Sequence, residues 1–385
     1  MNAYITALSA CLPNPPVDNE HMEEVLGMVG AKPSRARRMI LRSNGITTRH
    51  YALDPATGGI THSNAQLAAQ AIRGLARPGF DLGQVDLLAC GTTMADQLMP
   101  NHAVMVHGEL KLAPLEVMSA AGICLSSLTA LKYAALGVGA GEFKHAVACG
   151  SEVPSGLLRA RFLQPELDAQ VAALAEHPEI AFEKDFLRWM LSDGSGAALV
   201  EAQPAAQGLS LRIDWIVERS FANEQDACMY AGAEKLENGR LKTWIEFQPQ
   251  EWVDRSVFNI KQDVKQLNAH VMPVTVEKGM REVLKLHPGL TPDQVDWFLP
   301  HYSSAYFRER AAQSLKDAGF EIPYEKWFTN LPSKGNTGSA SIYIILEELF
   351  NGGRLKAGQR LLCYVPESGR MNTGFMHLTV CGPAA

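Results

Sequence analysis

Two distant segments of the chain share one pattern, and this repeat constrains the fold more than any other feature. Residues 83–91 (GQVDLLACG) and 293–301 (DQVDWFLPH) each leave a polar turn and enter a short apolar run, which is typical of a buried strand. A stretch of small residues follows each run at a similar distance, around Cys124 in the first case and around Asn336 in the second. We therefore expect two copies of one structural unit.

The residues after each small-residue stretch extend the repeat. Residues 128–138 and 342–350 have helical patterns that stop at glycine-containing turns, and strand-like runs follow at 146–149 and 360–365. Strands and helices that alternate in both copies predict an α/β fold built from two pseudo-symmetric halves. If the halves pack into one body, equivalent loops face each other across a pseudo-twofold axis.

We place the boundary between the halves after the turn and strand at residues 193–200. Residues 1–205 then form the N-terminal half, and residues 206–385 form the C-terminal half. Residues 155–190 are a charge-rich helical stretch without a counterpart in the second half, and we interpret them as an inserted cap.

Composition and charge exclude several classes of function. The chain has 385 residues, of which 46% are hydrophobic and 20% are charged, as in a globular protein. Its net charge of −6 argues against nucleic-acid binding, which needs a basic face. We expect no membrane contact, because residues 117–131 are too short a run for a membrane helix and the N-terminus does not resemble a secretory signal. Seven scattered cysteines without a CxxC pair favour a reducing, cytoplasmic location and no zinc site.

Cys124 is a candidate nucleophile, because it lies where a strand-like segment turns into a predicted helix. A sulfur at a helix N-terminus faces free backbone N–H groups, and the helix dipole there favours a thiolate. The alternative is a small apolar core residue, which is the ordinary role of a lone cysteine.

His301 and Asn336 are the polar residues expected to face Cys124. His301 directly follows an apolar strand, at the strand end where the sites of α/β proteins gather. Each has a structural alternative, since such a histidine can be a satisfied core residue and such an asparagine can cap a helix. The repeat brings all three residues to facing loops, which a purely structural explanation does not require, and it therefore favours a Cys-His-Asn site.

Together these motifs resemble the β-ketoacyl-acyl carrier protein synthase III (KAS III) family of thiolase-fold condensing enzymes. The resemblance spans nearly the whole chain and implies a five-layered αβαβα fold and a homodimer. It rests on four segments in matching order, which are the turn at Cys124, DGSGAA at 193–198, Pro300-His301, and GNTGSAS at 335–341.

The resemblance also implies a role for each of the three residues. Cys124 would take an acyl group from an acyl-CoA or an acyl carrier protein thioester, with its own backbone N–H helping to hold the oxyanion. His301 and Asn336 would donate hydrogen bonds to the carbonyl of a second thioester and stabilise the enolate formed by decarboxylation or deprotonation. The enolate would then attack the acyl-cysteine and form a carbon–carbon bond. No metal or redox cofactor is expected.

Two segments depart from the family pattern in ways that concern the substrate. The usual Gln-Ala-Asn after the histidine is replaced by Tyr302-Ser303-Ser304, so the entrance is altered, and Tyr302 and Ser303 are expected to bind substrate. The glycine-rich turn that helps to build the oxyanion hole is replaced by PESGRMN at 366–372. Gly369 and Arg370 of this turn are expected to bind substrate, with Arg370 and Glu367 adding charge nearby.

Met99 aligns with the family residue that reaches across the dimer to cap the acyl pocket of the partner subunit. Methionine is flexible and suits a long or irregular acyl chain, while an ordinary core residue is the alternative. The aromatic residue that packs on the adenine of coenzyme A is absent from residues 37–42, which favours a carrier-protein-bound substrate or weaker use of coenzyme A. The basic residues that could receive an acidic carrier protein, or simply form a solvated face, are Lys32, Arg35, Arg37, Arg38, Arg42, Arg308 and Arg310.

The leading hypothesis is a KAS III-like condensing enzyme of fatty acid or polyketide-type metabolism, similar to the divergent members that build dialkylresorcinols. The first alternative is an acyltransferase that forms an ester or amide, with His301 as general base toward an alcohol or amine. A cysteine hydrolase is less consistent with the repeat and with the sequence around Cys124. A non-catalytic partner subunit is less consistent with an intact Cys-His-Asn set.

Overall fold

The computed structural model describes residues 2–31, 37–169 and 187–384. Within these residues the strands, numbered in chain order, are β1 Tyr4–Cys11, β2 Val17–Asp18, β3 Thr48–Arg49, β4 Leu87–Thr92, β5 Glu116–Ala121, β6 His145–Glu152, β7 Gly194–Glu201, β8 Ser210–Ser220, β9 Met229–Tyr230, β10 Ala233–Lys235, β11 Leu241–Thr243, β12 Lys261–Gln262, β13 Trp297–Pro300, β14 Arg360–Glu367 and β15 Asn372–Cys381. The α-helices, numbered along the same described residues, are α1 Met22–Leu26, α2 Arg37–Asn44, α3 Asn64–Arg73, α4 His102–Leu110, α5 Ser126–Ala140, α6 Ser155–Leu158, α7 Ala160–Ala169, α8 Pro249–Asp254, α9 Val264–Met272, α10 Gly279–Leu286, α11 Arg308–Asp317, α12 Leu331–Lys334 and α13 Ser341–Asn351.

Nine of the strands form one mixed sheet in the order β13-β14-β15-β8-β1-β7-β6-β4-β5. In the first half β4 is parallel to β5 and β6, whereas β7 is antiparallel to β6 and β1. In the second half β13 is parallel to β14, whereas β15 is antiparallel to β14 and β8. The halves join through β1 and β8, which pair at Tyr4–Arg212 and Ile5–Leu211.

The strand order is the same in the two halves, and this confirms the predicted repeat. The order β4-β6-β7-β1 of the first half corresponds to β13-β14-β15-β8 of the second. The edge strand β5 has a reduced counterpart, a single parallel bridge between Phe298 of β13 and Trp327. The boundary that we placed between residues 205 and 206 falls in the loop from β7 to β8.

Helices cover the sheet in three layers. α5 and α13 pack between the two halves, and their side chains, such as Leu128 and Leu346, share one apolar core with strands of both halves. α3 and α4 cover the outer face of the first half. α9, the π-helical segment 273–278 and α10 cover the outer face of the second half. Because both faces are covered, β4 and β6 are buried almost throughout, which explains their uninterrupted apolar runs.

Two glycines let the first turn of α5 lie directly on the sheet. A Cβ atom at Gly91 of β4 would lie 2.4 Å from the backbone nitrogen of Ser127. A Cβ atom at Gly150 of β6 would lie 2.6 Å from the carbonyl oxygen of Ser339, in the short 3₁₀ segment Gly338–Ala340 of the loop that precedes α13. The hydroxyl of Ser127 donates to this same carbonyl of Ser339. The chain segments next to Cys124 and Asn336 therefore contact each other above these two strands.

The second half contains a long connection that the sequence analysis did not identify. Residues 221–263, between β8 and α9, form two small sheets and α8, and they include an aromatic cluster of Trp244, Trp252 and Phe258. The connection contacts α7 of the predicted cap, where Asn259 Nδ2 donates to the carbonyl of Phe162 at 3.0 Å. Residues 170–186 of the predicted cap lie outside the described residues.

Gly150→Ala tests the close contact above β6. The added methyl group meets a backbone oxygen as well as the Ser127 side chain, so we expect a loss of about 1–3 kcal/mol in the free energy of unfolding. Urea denaturation measures this change. Gly156→Ala in α6 is the matched control, because its Cβ atom has no heavy atom within 4 Å and the change should be neutral or stabilising. Equal stability of the two variants would contradict the account.

Candidate active site

A cavity opens where the two halves meet, and Cys124, His301 and Asn336 all line it. The structure thus brings together the three residues that the sequence analysis selected. Tyr302 and Ser303 also line this cavity. Most of the remaining wall is apolar, with side chains from Met94, Ile123, Val153, Leu157, Leu187, Met190, Leu191, Met229, Ile260, Leu267, Val271, Met272 and Phe307.

Cys124 lies in a tight turn between β5 and α5. The carbonyl of Ile123 accepts hydrogen bonds from the backbone nitrogen of Ser126 at 3.2 Å and from its hydroxyl at 2.8 Å. The backbone N–H of Ile123 donates to Oε2 of Glu367 at 2.9 Å, and Asn372 Nδ2 donates to Oε1 of the same carboxyl at 2.7 Å. A carboxyl group from the second half therefore holds the nucleophile turn of the first half.

The surroundings of Cys124 favour the neutral thiol. Burial raises the pKa of Cys124, and the nearby carboxyls of Glu152 and Glu367 raise it further, while its own backbone N–H lowers it. These influences oppose the thiolate that a helix N-terminus favours, so we expect the sulfur to lose its proton as it attacks a substrate.

His301 follows β13, and its backbone N–H donates to the carbonyl of Tyr364 on the neighbouring strand at 2.8 Å. Burial lowers the pKa of His301 to about 4, so the imidazole is neutral at physiological pH. A neutral imidazole has one nitrogen that donates and one that accepts a hydrogen bond. His301 can therefore act as a hydrogen-bond donor or as a proton acceptor in the cavity.

Asn336 is held by its backbone and by its side chain. Its N–H donates to the carbonyl of Met190 at 3.0 Å, and its carbonyl accepts from the N–H of Ser192 at 2.8 Å. Its side-chain oxygen Oδ1 accepts from the N–H of Gly338 at 3.0 Å. Since the oxygen is used within the loop, the Nδ2 donors of Asn336 remain for a group in the cavity.

Glu152 is a cavity residue that the sequence analysis missed. It is the last residue of β6, and its Oε1 accepts from the backbone N–H of Thr93 at 2.7 Å, from the Thr93 hydroxyl and from the N–H of Ser339 at 3.3 Å. Burial raises the pKa of Glu152 to about 7, although these hydrogen bonds act in the opposite direction. Its position at a strand end on the active-site edge of the sheet is the signal that could have identified it.

The other predicted substrate-binding residues lie in different surroundings. Gly369 is near the cavity rim, where a Cβ atom would lie 2.8 Å from Ile123 Cδ1, and its carbonyl accepts from the N–H of Cys228 at 2.7 Å. Arg370 is exposed and donates from Nε to the carbonyl of Gln225 at 2.6 Å, and it does not line the cavity. Met99 is 81% exposed and lies outside the cavity wall.

The predicted basic residues also differ in their surroundings. Arg38, Arg42, Arg308 and Arg310 are exposed, and the guanidinium of Arg308 lies 4.3 Å from the centre of a tyrosine ring. Arg37 instead forms an ion pair with a carboxylate of α1. Lys32 and Arg35 lie outside the described residues.

The chain is similar in sequence to proteins of known family. A family model for the C-terminal part of 3-oxoacyl-[acyl-carrier-protein] synthase III matches residues 287–369. β-Ketoacyl-[acyl-carrier-protein] synthase III 1 of Deinococcus radiodurans is 25% identical over 362 residues, which cover 94% of this chain and 89% of that protein. The corresponding protein of Laribacter hongkongensis is 25% identical over 84% of both chains.

Several solved structures match the fold of this chain over nearly its full length. AbyA1, a tetronic acid condensing enzyme, is 24% identical with a TM-score of 0.76, and the match covers 98% of this chain and 99% of AbyA1. A cysteine-to-serine variant of OleA from Xanthomonas campestris, with bound lauric acid and lauroyl-CoA, is 20% identical with a TM-score of 0.72 over 98% and 99% of the two chains. FabH of Pseudomonas aeruginosa is 18% identical with a TM-score of 0.71 over all of both chains.

The repeated half-sheets and the layer order define a thiolase-type fold, which the solved structures share. Within this class the chain is similar to β-ketoacyl-[acyl-carrier-protein] synthase III, by the family model over residues 287–369 and by the sequence matches over most of its length. None of the described helices is both long and apolar enough to cross a membrane.

The rate at which Cys124 is alkylated tests whether the carboxyls of Glu152 and Glu367 raise the pKa of its thiol. Because Glu152 and Glu367 raise its pKa, we expect Glu152→Gln and Glu367→Gln to speed modification by iodoacetamide at pH 7.5 by about threefold to tenfold. Peptide mass spectrometry assigns the modified cysteine. Glu325→Gln, at an exposed position, is the control that should not change the rate. Unchanged rates in both test variants would refute the electrostatic account.

The stability of Glu152→Gln should depend on pH. In the folded state the pKa of this carboxyl is raised from 4.5 to about 7, so its contribution to stability is full below pH 4.5 and is lost as the pH rises through 7. Glutamine can keep the accepting oxygen and carries no charge, so we expect the variant to gain up to about 3 kcal/mol over the natural protein at pH 8 and nothing at pH 4.5. Urea unfolding at both pH values measures the difference, and a gain independent of pH would argue against a buried carboxyl with a raised pKa.

Proposed function

We propose that this protein is an acyltransferase that joins two acyl thioesters through a carbon–carbon bond, with Cys124 as the residue that carries the first acyl group. The observation that supports this most strongly is the cavity in which a thiol, a neutral imidazole and a side-chain amide meet. These groups come from both halves of the repeat, which fits a role in one reaction.

In the first step the Cys124 sulfur attacks the thioester carbonyl as the thiol loses its proton. The neutral imidazole of His301 can accept that proton, because burial keeps the free imidazole uncharged. The backbone N–H of Cys124 and an N–H of the turn at 366–372 stabilise the tetrahedral oxyanion. The carbon–sulfur bond to the donor then breaks, the donor thiol leaves with a proton, and the acyl group remains on Cys124.

In the second step a second thioester becomes an enolate. The Nδ2 group of Asn336 and the donor nitrogen of His301 bind its carbonyl oxygen, where negative charge develops. The enolate carbon attacks the acyl carbonyl on Cys124, the carbon–sulfur bond breaks, and the sulfur recovers a proton. The product is a β-ketoacyl thioester, and no step needs a metal or a redox cofactor.

The cavity wall and the surface suggest the class of substrate. The wall is predominantly apolar, which suits a medium or long acyl chain, and the related OleA structure contains lauric acid and lauroyl-CoA. Exposed Arg38, Arg42, Arg308 and Arg310 suit the acidic surface of an acyl carrier protein or the phosphates of coenzyme A. This supports a place in fatty acid or polyketide-type metabolism, including dialkylresorcinol-type pathways.

We also propose a homodimer and a cytoplasmic location. β5 is the edge strand of the sheet, and the neighbouring loop exposes Leu98 and Met99 almost completely. Exposed apolar residues beside a sheet edge favour association with a second subunit, where Met99 would reach the partner's acyl pocket. Free cysteines throughout the described chain fit a reducing compartment.

The second candidate function is acyl transfer to a hydroxyl or amine. The neutral His301 supports it, because a free imidazole can remove the proton of such an acceptor. Both functions share the acylated Cys124, so the products distinguish them. An O-acyl or N-acyl product would favour the second function.

Acyl loading tests the proposed nucleophile. Incubation with octanoyl-, decanoyl- and dodecanoyl-CoA should add one acyl mass to the intact protein, and peptide mapping should place it on Cys124. Cys124→Ala should abolish loading, whereas Cys381→Ala, at a partly exposed cysteine on another element, should load normally. Asn336→Ala should load and then condense about 100-fold to 1,000-fold more slowly. An acyl adduct that persists in Cys124→Ala would refute the assignment.

A further inference from the structure

Glu152 is a buried carboxyl in the reaction cavity that the two steps above leave unused. All of its hydrogen bonds from Thr93 and Ser339 end on one oxygen, Oε1. The residue is only 5% exposed and its side chain lines the cavity together with Cys124 and Asn336. One oxygen is thus anchored, and Oε2 is the oxygen that remains for a group in the cavity.

The charges of the cavity wall restrict what the second substrate can be. Among the described residues that line the cavity there is no lysine or arginine, and Glu152 is the one carboxyl. His301 is neutral there because burial lowers its pKa to about 4. A malonyl group would bring a second carboxylate into this site without a counter-ion, which is costly in an apolar surrounding. A simple acyl or β-ketoacyl thioester is neutral and avoids this cost.

We propose that Glu152 is the general base that forms the enolate, and that the second substrate is a neutral acyl or β-ketoacyl thioester which loses an α-proton rather than carbon dioxide. This inference rests on the proposed function, since it assigns the enolate-forming step of that reaction. A β-ketoacyl thioester is the easier substrate, because two carbonyl groups share the negative charge.

The step is balanced without any further reagent. The α-carbon–hydrogen bond breaks, the proton moves to Oε2 of Glu152, and the electron pair forms the enolate held by His301 and Asn336. The enolate carbon bonds to the acyl carbon on Cys124, and the electron pair of the breaking carbon–sulfur bond stays on sulfur. The proton on Glu152 then returns to this sulfur, so both residues regain their starting forms. The pKa of Glu152, raised to about 7 by burial, suits a group that gains and loses a proton near neutral pH.

A purely structural role for Glu152 makes a different prediction. Its anchored oxygen connects Thr93, after β4, to Ser339, before α13, and this link could matter for folding alone. Glutamine keeps an accepting oxygen for both partners but cannot accept a proton. Glu152→Gln therefore separates the two roles, and Glu152→Asp is the conservative variant that retains a base at a greater distance from the substrate.

The experiment uses the full-length protein acylated on Cys124 with decanoyl-CoA, which is then mixed with 3-oxodecanoyl-CoA, decanoyl-CoA or malonyl-CoA. The natural protein should condense with the two neutral thioesters faster than with malonyl-CoA. Glu152→Gln should still acylate Cys124, at least as fast as the natural protein, but lose about 100-fold in condensation with the neutral thioesters, while its malonyl-dependent condensation stays equal or rises. Glu152→Asp should recover part of the lost rate, and the exposed control Glu325→Gln should match the natural protein.

Each other outcome contradicts the inference in a recognisable way. If Glu152→Gln condenses the neutral thioesters as fast as the natural protein, or loses the neutral and malonyl reactions equally, Glu152 is not the base. If the natural protein prefers malonyl-CoA and releases carbon dioxide, the assigned substrate class is wrong. If the natural protein forms no acyl-cysteine at all, the proposed function fails, and this inference fails with it.

Discussion

The contact between the start of α5 and the loop before α13 is the interaction on which the rest of the site depends. Ser127 donates to the carbonyl of Ser339, and Tyr343 of α13 donates to the carbonyl of Ser127 at 3.0 Å. Gly91 and Gly150 leave the space in which these backbones approach the sheet. Each segment belongs to a different half of the repeat, so this contact joins the two similar units around one cavity.

The electrostatics of the cavity follow from the same packing. Burial, and after it the charges of Glu152 and Glu367, raise the pKa of the Cys124 thiol, while burial keeps His301 neutral. The resting site is therefore built from groups that exchange protons with the substrate as bonds form, rather than from a stable thiolate and imidazolium pair. Burial of the Glu152 carboxylate lowers the stability of the folded protein, as is common for groups that an active site keeps for their chemistry.

The sequence predicted the parts of this structure that local patterns encode. The repeated strand at residues 83–91 and 293–301 indicated the two halves, and its spacing to Cys124 and Asn336 indicated that their loops converge. The electrostatics and the contacts of individual site residues depend instead on neighbours that are distant in sequence. The thiol pKa depends on Glu367, a residue far along the chain whose carboxyl reaches the turn at Ile123. Arg370, in turn, donates a hydrogen bond to the carbonyl of Gln225, a partner that the local sequence does not indicate.

Two other features, a carboxyl at the end of a strand and a connection built from very short strands, could not be predicted from sequence patterns. The apolar pattern predicts a strand that ends at Cys149, whereas β6 continues to Glu152, and the carboxyl therefore lies at a strand end that the pattern does not mark. The connection at residues 221–263 has short strands of two or three residues, which carry little periodic signal. Their packing comes from aromatic contacts that only the folded chain reveals.

The central claim is that the two halves of the repeat form one site for making a carbon–carbon bond. The most direct test mixes the protein with equal amounts of decanoyl-CoA labelled with ¹³C at carbon 1 and decanoyl-CoA labelled with ¹³C at carbon 2. Nuclear magnetic resonance of the product should show one-bond ¹³C–¹³C coupling, because a labelled carbonyl carbon of one molecule becomes bonded to a labelled α-carbon of the other. Labelled thioesters that are consumed without such coupling, as free acids or as esters or amides, would contradict the account.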